Sequence, residues 1–210
     1  HQIFKDVAQL QNNIMRVTDH LRRKLEEKNI SNIDRRVLNF LPTHDGKLYY
    51  KDTEGNYWRV MDFISDSKSY EAINPELAYR AGLAFGDFQK ELADLPNGPL
   101  FETIPNFHNM EFRLEEFKEA VEKDAAGRVA KVSDLIKEIE ARAEEMTKPE
   151  RLHREGLLPK RTNHCDTKVN NILFDSNDQV LCVVDLDTVM PGYVLSDFGD
   201  FMRTGANTGE

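Results

Sequence analysis

The sequence predicts an α+β protein of two lobes: a small antiparallel β lobe, and a larger, mostly helical lobe that carries a β-hairpin of its own. Three observations predict it. One helical stripe and three short β-rich runs occupy residues 1–64. Long amphipathic helical patterns follow. Two short apolar runs that bracket a polar tetrapeptide then stand near the end.

The first stripe is Val7, Leu10, Ile14, Val17, Leu21 and Leu25, spaced alternately by three and four residues. That is one apolar face of a helix running to about residue 28, packed on a sheet. It is too short to require a coiled-coil seam. Three β-rich runs come next, Arg36–Leu41, Lys47–Tyr50 and Tyr57–Ile64. The turns between them, His44-Asp45-Gly46 and Asp52-Thr53-Glu54-Gly55-Asn56, are rich in residues that tolerate positive φ. The pattern predicts an antiparallel meander. The polar connector Ser65-Asp66-Ser67-Lys68-Ser69 marks the boundary between the lobes, 1–64 and 65–210.

Asn74-Pro75 opens the helical part, with Asn as cap and Pro at the first helical position. The stripe Leu77, Ala81, Ala84, Phe88, Leu92 follows and Pro96-Asn97-Gly98 stops it. A second helix begins near Asn109, with Leu114, Phe117 and Val121 inward. A third runs from about Arg128, with Val129, Val132, Ile136, Ile139, Ala143 and Met146 on one face. Asn171–Phe174 and Val180–Val184, around Asp175-Ser176-Asn177-Asp178, read as a β-hairpin. A loop through Met190-Pro191-Gly192 then leads to Ser196-Asp197-Phe198-Gly199-Asp200, which opens a final helix.

A formal net charge of −9 argues against nucleic-acid binding through a general basic field. A polyanionic ligand must instead be met locally, by metal ions, backbone amides and a few placed cations. No apolar run approaches the roughly 20 residues of a membrane span, so no membrane partner is expected. Cys165 and Cys182 are too few for a secreted disulfide framework and read as small buried residues of strands. The opening residues His1-Gln2-Ile3-Phe4-Lys5-Asp6 do not read as a signal peptide. A reducing, cytoplasmic setting is the expectation. The chain lacks an initial Met and stops at Thr208-Gly209-Glu210 directly after a helical segment. It reads as an internal piece of a longer protein.

Chemistry gathers at the open end of the hairpin. Asn171 falls opposite roughly Val183, within two positions of Asp185. Asp166 and Lys168 lie on the loop that enters this end, and Asp187 on the loop that leaves it. Such a group of carboxylates repels itself unless a divalent cation is present, and its oxygen donors suit Mg²⁺.

His164-Cys165-Asp166-Thr167-Lys168-Val169-Asn170-Asn171 matches the H-x-D-x-x-x-x-N catalytic loop of kinases, and Val184-Asp185-Leu186-Asp187 the metal-binding element after it. With Gly192 and Asp197-Phe198-Gly199-Asp200 beyond, the sequence resembles the aminoglycoside phosphotransferase and choline kinase superfamily, of protein-kinase-like fold. Within it, the string HCDTKVNNILFD…VVDLDTVMPGYVLSDFGD is similar to N-acetylhexosamine 1-kinases and mucin-desulfatase-associated proteins.

The resemblance implies an ATP- and Mg²⁺-dependent kinase that phosphorylates a hydroxyl of a small molecule, a sugar by subgroup. It implies Asp166 as the residue that accepts or orients the acceptor proton, and Lys168 as a cation on the transferring phosphoryl. It implies Asn171 and Asp185 as metal ligands with Asp187 aiding a second metal. His164 and Asp197 support the loop, and Asp62, Phe63 and Ile64 belong to the adenine-binding hinge. Asp197-Phe198-Gly199 spells the protein-kinase metal motif, yet it follows a loop, whereas Asp185 ends the hairpin that starts beside Asn171. Geometry assigns the metal to Asp185. A phosphate-covering hairpin and a strand lysine, expected before Asp6, have no counterpart in the sequence.

His108 reads as lining for a sugar site or, at least as well, as a helix N-terminal hydrogen bond; Arg113 and Arg203 read as surface salt bridges before substrate or phosphate contacts. The alternatives to a kinase are a non-catalytic binding module or inactive fragment, and a metal-dependent glycosyltransferase suggested by the D-x-D of Asp185–Asp187. The long helices upstream, where that enzyme class places a parallel βαβ unit, oppose the last.

Overall fold

The computed structural model describes residues 3–206; the terminal residues discussed above, His1, Gln2 and Thr208-Gly209-Glu210, lie outside them. The chain divides into two compact units, His1–Ile104 with Arg161–Glu210, and Pro105–Lys160.

In the first unit, helix α1 spans Val7–Glu27, started by the Asp6 carboxylate, which accepts the Gln9 N–H at 3.0 Å. Its expected stripe is buried at Leu10, Ile14 and Val17. Asn13 is fully buried among them and fully satisfied. Its Nδ2 donates to Phe101 O at 2.8 Å and Val189 O at 3.1 Å, and its Oδ1 accepts from Phe101 N at 2.9 Å. That amide fastens the helix to the segment just beyond Asp187.

The β-rich region departs from the expected meander. Strands β1 (Phe40–Leu41), β2 (Tyr50–Lys51), β3 (Tyr57–Trp58) and β4 (Val60–Met61) form two nested antiparallel ribbons, β1 with β4 and β2 with β3. Two turns explain the difference. The loop from Thr43 to Lys47 closes on itself, with Thr43 N and Oγ1 both donating to Lys47 O, at 2.7 and 2.9 Å. This spends the backbone groups a continuous strand would offer. In the second turn the Asp52 carboxylate gathers the N–H groups of Glu54 and Asn56 and the indole N–H of Trp58.

Helix α2 (Pro75–Glu91) starts as read, with Asn74 Oδ1 accepting the Leu77 N–H at 2.9 Å and Pro75 first. It buries Leu77, Ala81, Phe85 and Phe88. A polar cluster binds it to α1: Lys28 meets Glu91 at 2.6 Å, and Lys24 bridges Glu91 and Asp94.

After the second unit the chain returns through β5 (Arg161–Asn163), the hairpin strands β6 (Ile172–Phe174) and β7 (Val180–Val183), then β8 (Met190–Gly192) and helix α6 (Val194–Gly205). The hairpin is present in nearly the expected register, Ile172 opposite Val183, with an irregularity at Leu173/Phe174. The Asp175 carboxylate shapes its tip by accepting the N–H groups of Asn177 and Gln179 at 2.8 and 2.9 Å. Ile172 and Phe174 are fully buried against α2, a burial that stabilises by about 2–3 kcal/mol for each such side chain. The connector also pairs with the hairpin: Lys68 and Phe174 exchange both backbone bonds, at 2.9 and 2.8 Å. The antiparallel pairing of β5 with β8 was not foreseen, and α6 begins at Val194, two residues before the expected start.

The second unit holds α3 (Met110–Lys123), capped by Asn109 as read, then α4 (Ser133–Met146) and α5 (Lys148–Arg154). Glu150 ties it together: buried, it accepts the Met110 N–H at 2.9 Å. In α4 the expected face is the more covered one: Ile136, Ile139, Ala143 and Met146 are half-buried, none of the helix's residues is fully buried, and Leu135, off that stripe, is 66% exposed. No helix among the described residues is long and apolar enough to cross a membrane.

Candidate active site

The loop between β5 and β6 is built on Asp197. This residue lies in the first turn of α6 and is 2% exposed. Its carboxylate accepts the backbone N–H groups of His164 and Cys165 at 3.0 and 2.9 Å, and the side-chain amide of Gln89 at 3.0 Å. Thr167 donates its hydroxyl to the Asp197 carbonyl at 2.5 Å. Cys165 holds φ at +64°, a conformation a side chain pays to adopt. Two backbone donors converging on one carboxylate explain how it persists. A close approach is also needed: a Cβ at Gly192 would meet the Cys165 sulfur at 3.3 Å and the Asn163 Cβ at 3.5 Å.

His164 is fully buried, and its Nε2 donates to the Val184 carbonyl at 2.9 Å. Thr188 donates to the His164 carbonyl at 2.8 Å. The loop is therefore sewn to the strand end that carries Asp185 as well as to α6.

Asp166 stands at the mouth. Its Oδ2 meets the Lys168 ammonium at 2.8 Å, and its Oδ2 and backbone carbonyl accept the Asn171 amide at 3.0 and 2.8 Å. Lys168 also reaches Asp185 at 3.9 Å. The hydrogen bond to Asp166 raises the Lys168 pKa above its ordinary value; the charges of Asp166, Asp185 and Asp200 add to it, against the opposing cost of burial. On the hairpin side, Val184 N donates to Asn171 O at 2.9 Å, so the residue after Val184 is set beside the amide. That residue, Asp185, has φ of +60° and opens a short 3₁₀ turn through Leu186–Thr188.

Asp187 leaves this group. Its carboxylate binds Arg59 at 2.5 Å, while the guanidinium lies 5.2 Å from the centre of the Phe40 ring. Asp62, Phe63 and Ile64 stand at the exit of β4. Asp62 is paired with Asn39 through its N–H at 3.0 Å and its carboxylate at 2.6 Å. Phe63 is 89% exposed, and Ile64 is buried with Leu38 and Phe88. None of the three shares a hydrogen bond with residues 164–171 in the described structure. His108 stacks on Phe107 with ring centres 4.5 Å apart, and Arg113 donates to Phe107 O. Both belong to the second unit.

Among the described residues no three His, Cys, Asp or Glu side chains form a metal cage. A site with fewer protein donors does fit. The Asn171 nitrogen is spent on Asp166, which leaves its Oδ1 without a hydrogen bond in the described structure, and the Asp185 carboxylate is 47% exposed. An amide oxygen and one carboxylate suit Mg²⁺, which completes its shell with phosphate and water.

Sequence reasoning missed Arg59, Gln89, Thr167, Thr188 and Asp200. Only Asp200 left a readable signal: it stands three residues after Asp197 on one helix, a spacing that shares a face.

Residues 16–210 match the model of the phosphotransferase enzyme family called APH. The chain belongs to this family. Two solved structures agree with it in fold. The aminoglycoside phosphotransferase from Alicyclobacillus acidocaldarius superposes with a TM-score of 0.57 at 14% identity, over 92% of this chain and 58% of that one. The spectinomycin phosphotransferase solved as its AMP-bound complex superposes at 0.50 and 13% identity, over 89% and 59%. The phosphotransferase chain described here thus spans about three fifths of the length of these two proteins, and its fold is the α+β, protein-kinase-like one they share. The D-x-D of Asp185–Asp187 accordingly lies in a phosphotransferase framework, not in a glycosyltransferase one.

Proposed function

We propose that this chain carries the catalytic loop and metal-binding element of an ATP-dependent kinase that transfers the γ-phosphoryl group to a hydroxyl of a small molecule. The observation that carries the reading is the interlock of Asp166 with Lys168 at 2.8 Å and Asn171 at 3.0 Å. Held by both, the carboxylate stays oriented at the mouth of the loop, where it accepts the proton of the attacking hydroxyl. Lys168, kept protonated by that contact, offsets charge on the phosphoryl oxygens as it passes. Asn171 Oδ1 and Asp185 are the donors to the ion. When bound, Mg²⁺ supplies charge neutralisation and alignment of the nucleotide phosphates. Asp187 remains the candidate for a second ion, and its capture by Arg59 means that nucleotide binding has an ion pair to loosen first. His164 and Asp197 hold the loop.

In this reading residues 1–64 belong to the small lobe, with Asp62, Phe63 and Ile64 as the adenine hinge, and residues 65–210 to the helical lobe. The likeness of residues 164–200 to N-acetylhexosamine 1-kinases makes an N-acetylhexosamine or related sugar the proposed acceptor, in a cytoplasmic enzyme. The test is ADP release by the full-length protein over a panel of sugars, aminoglycosides and amino alcohols. Activity with one class, lost by about a thousandfold in Asp166→Ala while the fold is kept, supports the reading. Undiminished turnover in that variant refutes the role of Asp166. If no acceptor raises ADP above background hydrolysis, the chain is a binding module.

A further inference from the structure

Asp200 is a carboxylate at the mouth of the loop that none of the assigned roles uses. It lies on α6 one turn beyond Asp197, and its side chain is 19% exposed. Its two oxygens are in different situations. Oδ1 accepts both Nε and Nη2 of Arg203, at 3.1 and 2.7 Å. Oδ2 has one neighbour, the Thr167 hydroxyl at 3.5 Å, and that hydroxyl gives its hydrogen to the Asp197 carbonyl at 2.5 Å. Oδ2 is therefore a charged acceptor with no donor of its own among the described residues, in a half-closed position where leaving it unpaired is costly.

Its place is beside the chemistry. The charge of Asp200 acts on the Lys168 ammonium, and the charge of Asp166 acts on Arg203. Asp166, Lys168, Asp200 and Arg203 thus form one patch, in which Asp166 is bonded to Lys168 and Asp200 to Arg203. Thr167, the residue between Asp166 and Lys168, touches Asp200 directly.

We propose that Asp200 positions the acceptor, its free Oδ2 receiving a hydroxyl of the substrate other than the one phosphorylated. This rests on the kinase reading above and adds to it. Arg203 acts through Asp200 by fixing its rotamer, holding Oδ1 and leaving Oδ2 on the side of Thr167. The arrangement selects an acceptor with at least two hydroxyls and no need of a free anion. Asp166 is already neutralised by Lys168, Asp187 by Arg59 and Asp200 by Arg203, which leaves little for a polycation to bind. An uncharged polyol suits it, since a carboxylate oxygen that hydrogen-bonds a hydroxyl discriminates strongly against an analogue lacking that group.

The experiment is steady-state kinetics of the full-length protein, varying ATP and acceptor separately, with N-acetylglucosamine as the first probe and other neutral sugars if it is inert. Asp200→Asn is expected to raise the acceptor KM at least tenfold and to leave the ATP KM within twofold. Arg203→Met is expected to raise the acceptor KM by a smaller factor. An unchanged acceptor KM in an active Asp200→Asn enzyme overturns the proposal while leaving the kinase reading intact, and so does an equal rise in both KM values. A wild-type protein that phosphorylates only cationic acceptors overturns the inferred acceptor class. Failure of the wild type to turn over any acceptor removes the kinase reading, and this proposal with it.

Discussion

Asp197 and Cys165 define each other's conformation: the carboxylate accepts the Cys165 N–H at 2.9 Å while Cys165 keeps a left-handed φ of +64°. The adjacent His164 N–H goes to the other oxygen of the same carboxylate at 3.0 Å. Removing that carboxylate leaves two buried backbone donors without partners. Asp197→Ala is therefore expected to cost about 3 kcal/mol in urea unfolding. Asp197→Asn, which keeps an acceptor for only one of the two, is expected to fall between. An Asp197→Ala midpoint equal to that of the parent would show that the loop holds its shape by other means.

A second expectation concerns the half-buried pair of Arg59 and Asp187, at 2.5 Å. Arg59→Met strands a carboxylate, with an expected cost of about 2 kcal/mol, and Asp187→Asn strands a guanidinium, with a smaller one. The double variant should recover part of the loss, giving a coupling of about 1 kcal/mol in a double-mutant cycle. Simple additivity of the two single costs would contradict the contact.

The junction of α1 and α2 makes a prediction about pH. The hydrogen bond from Lys28 lowers the Glu91 pKa from its ordinary 4.5, and burial opposes it. A carboxyl with a depressed folded pKa contributes stability above its unfolded pKa and loses it as the pH falls through the folded value. Glu91→Gln is expected to cost about 1 kcal/mol at pH 7, and the gap between variant and parent should close as the pH drops below about 4. A gap independent of pH would count against the charge and for a packing effect.

Burial pushes the Cys182 thiol up to about 12. It should stay unreacted with iodoacetamide at pH 8.5 for as long as the protein is folded, at least about a hundredfold slower than in urea, because the thiolate is the nucleophile. Rapid modification of the native protein would contradict the hairpin packing around Cys182.

What could be read in advance was local. Asn74 and Asn109 cap their helices because a short polar side chain reaches its own third residue, and nothing distant intervenes. The hairpin carried its turn chemistry and its two apolar runs within a dozen or so residues, and it appears one step from the expected register. Pairings between remote segments were not legible. Arg59 finds Asp187, and Arg161 finds Gly192, through the packing of other elements. A short, polar strand such as Arg161–Asn163 gives no periodicity to detect. The stripe on α4 was legible as well, since Ile136, Ile139, Ala143 and Met146 are half-buried residues of that helix, but a helical period specifies a face and not how deeply it is covered. In the candidate site, Asp166, Lys168, Asn171 and Asp185 were placed by motif spacing. The guanidinium that neutralises Asp187 was not, since Arg59 lies 128 residues away in the chain, whereas Arg203, three residues after Asp200 on one helix, was within reach of helical spacing.

The paired backbone bonds of Lys68 and Phe174 have one more consequence. A two-stranded ribbon ordinarily presents open edges on which another chain can nucleate a strand. Here the connector lies along the outer side of β6 at Phe174 and occupies it. Loosening residues 65–69, by proteolysis or by a proline at Lys68, would uncover the edge of the apolar strand Ile172–Phe174 and turn a folded domain into a seed for aggregation.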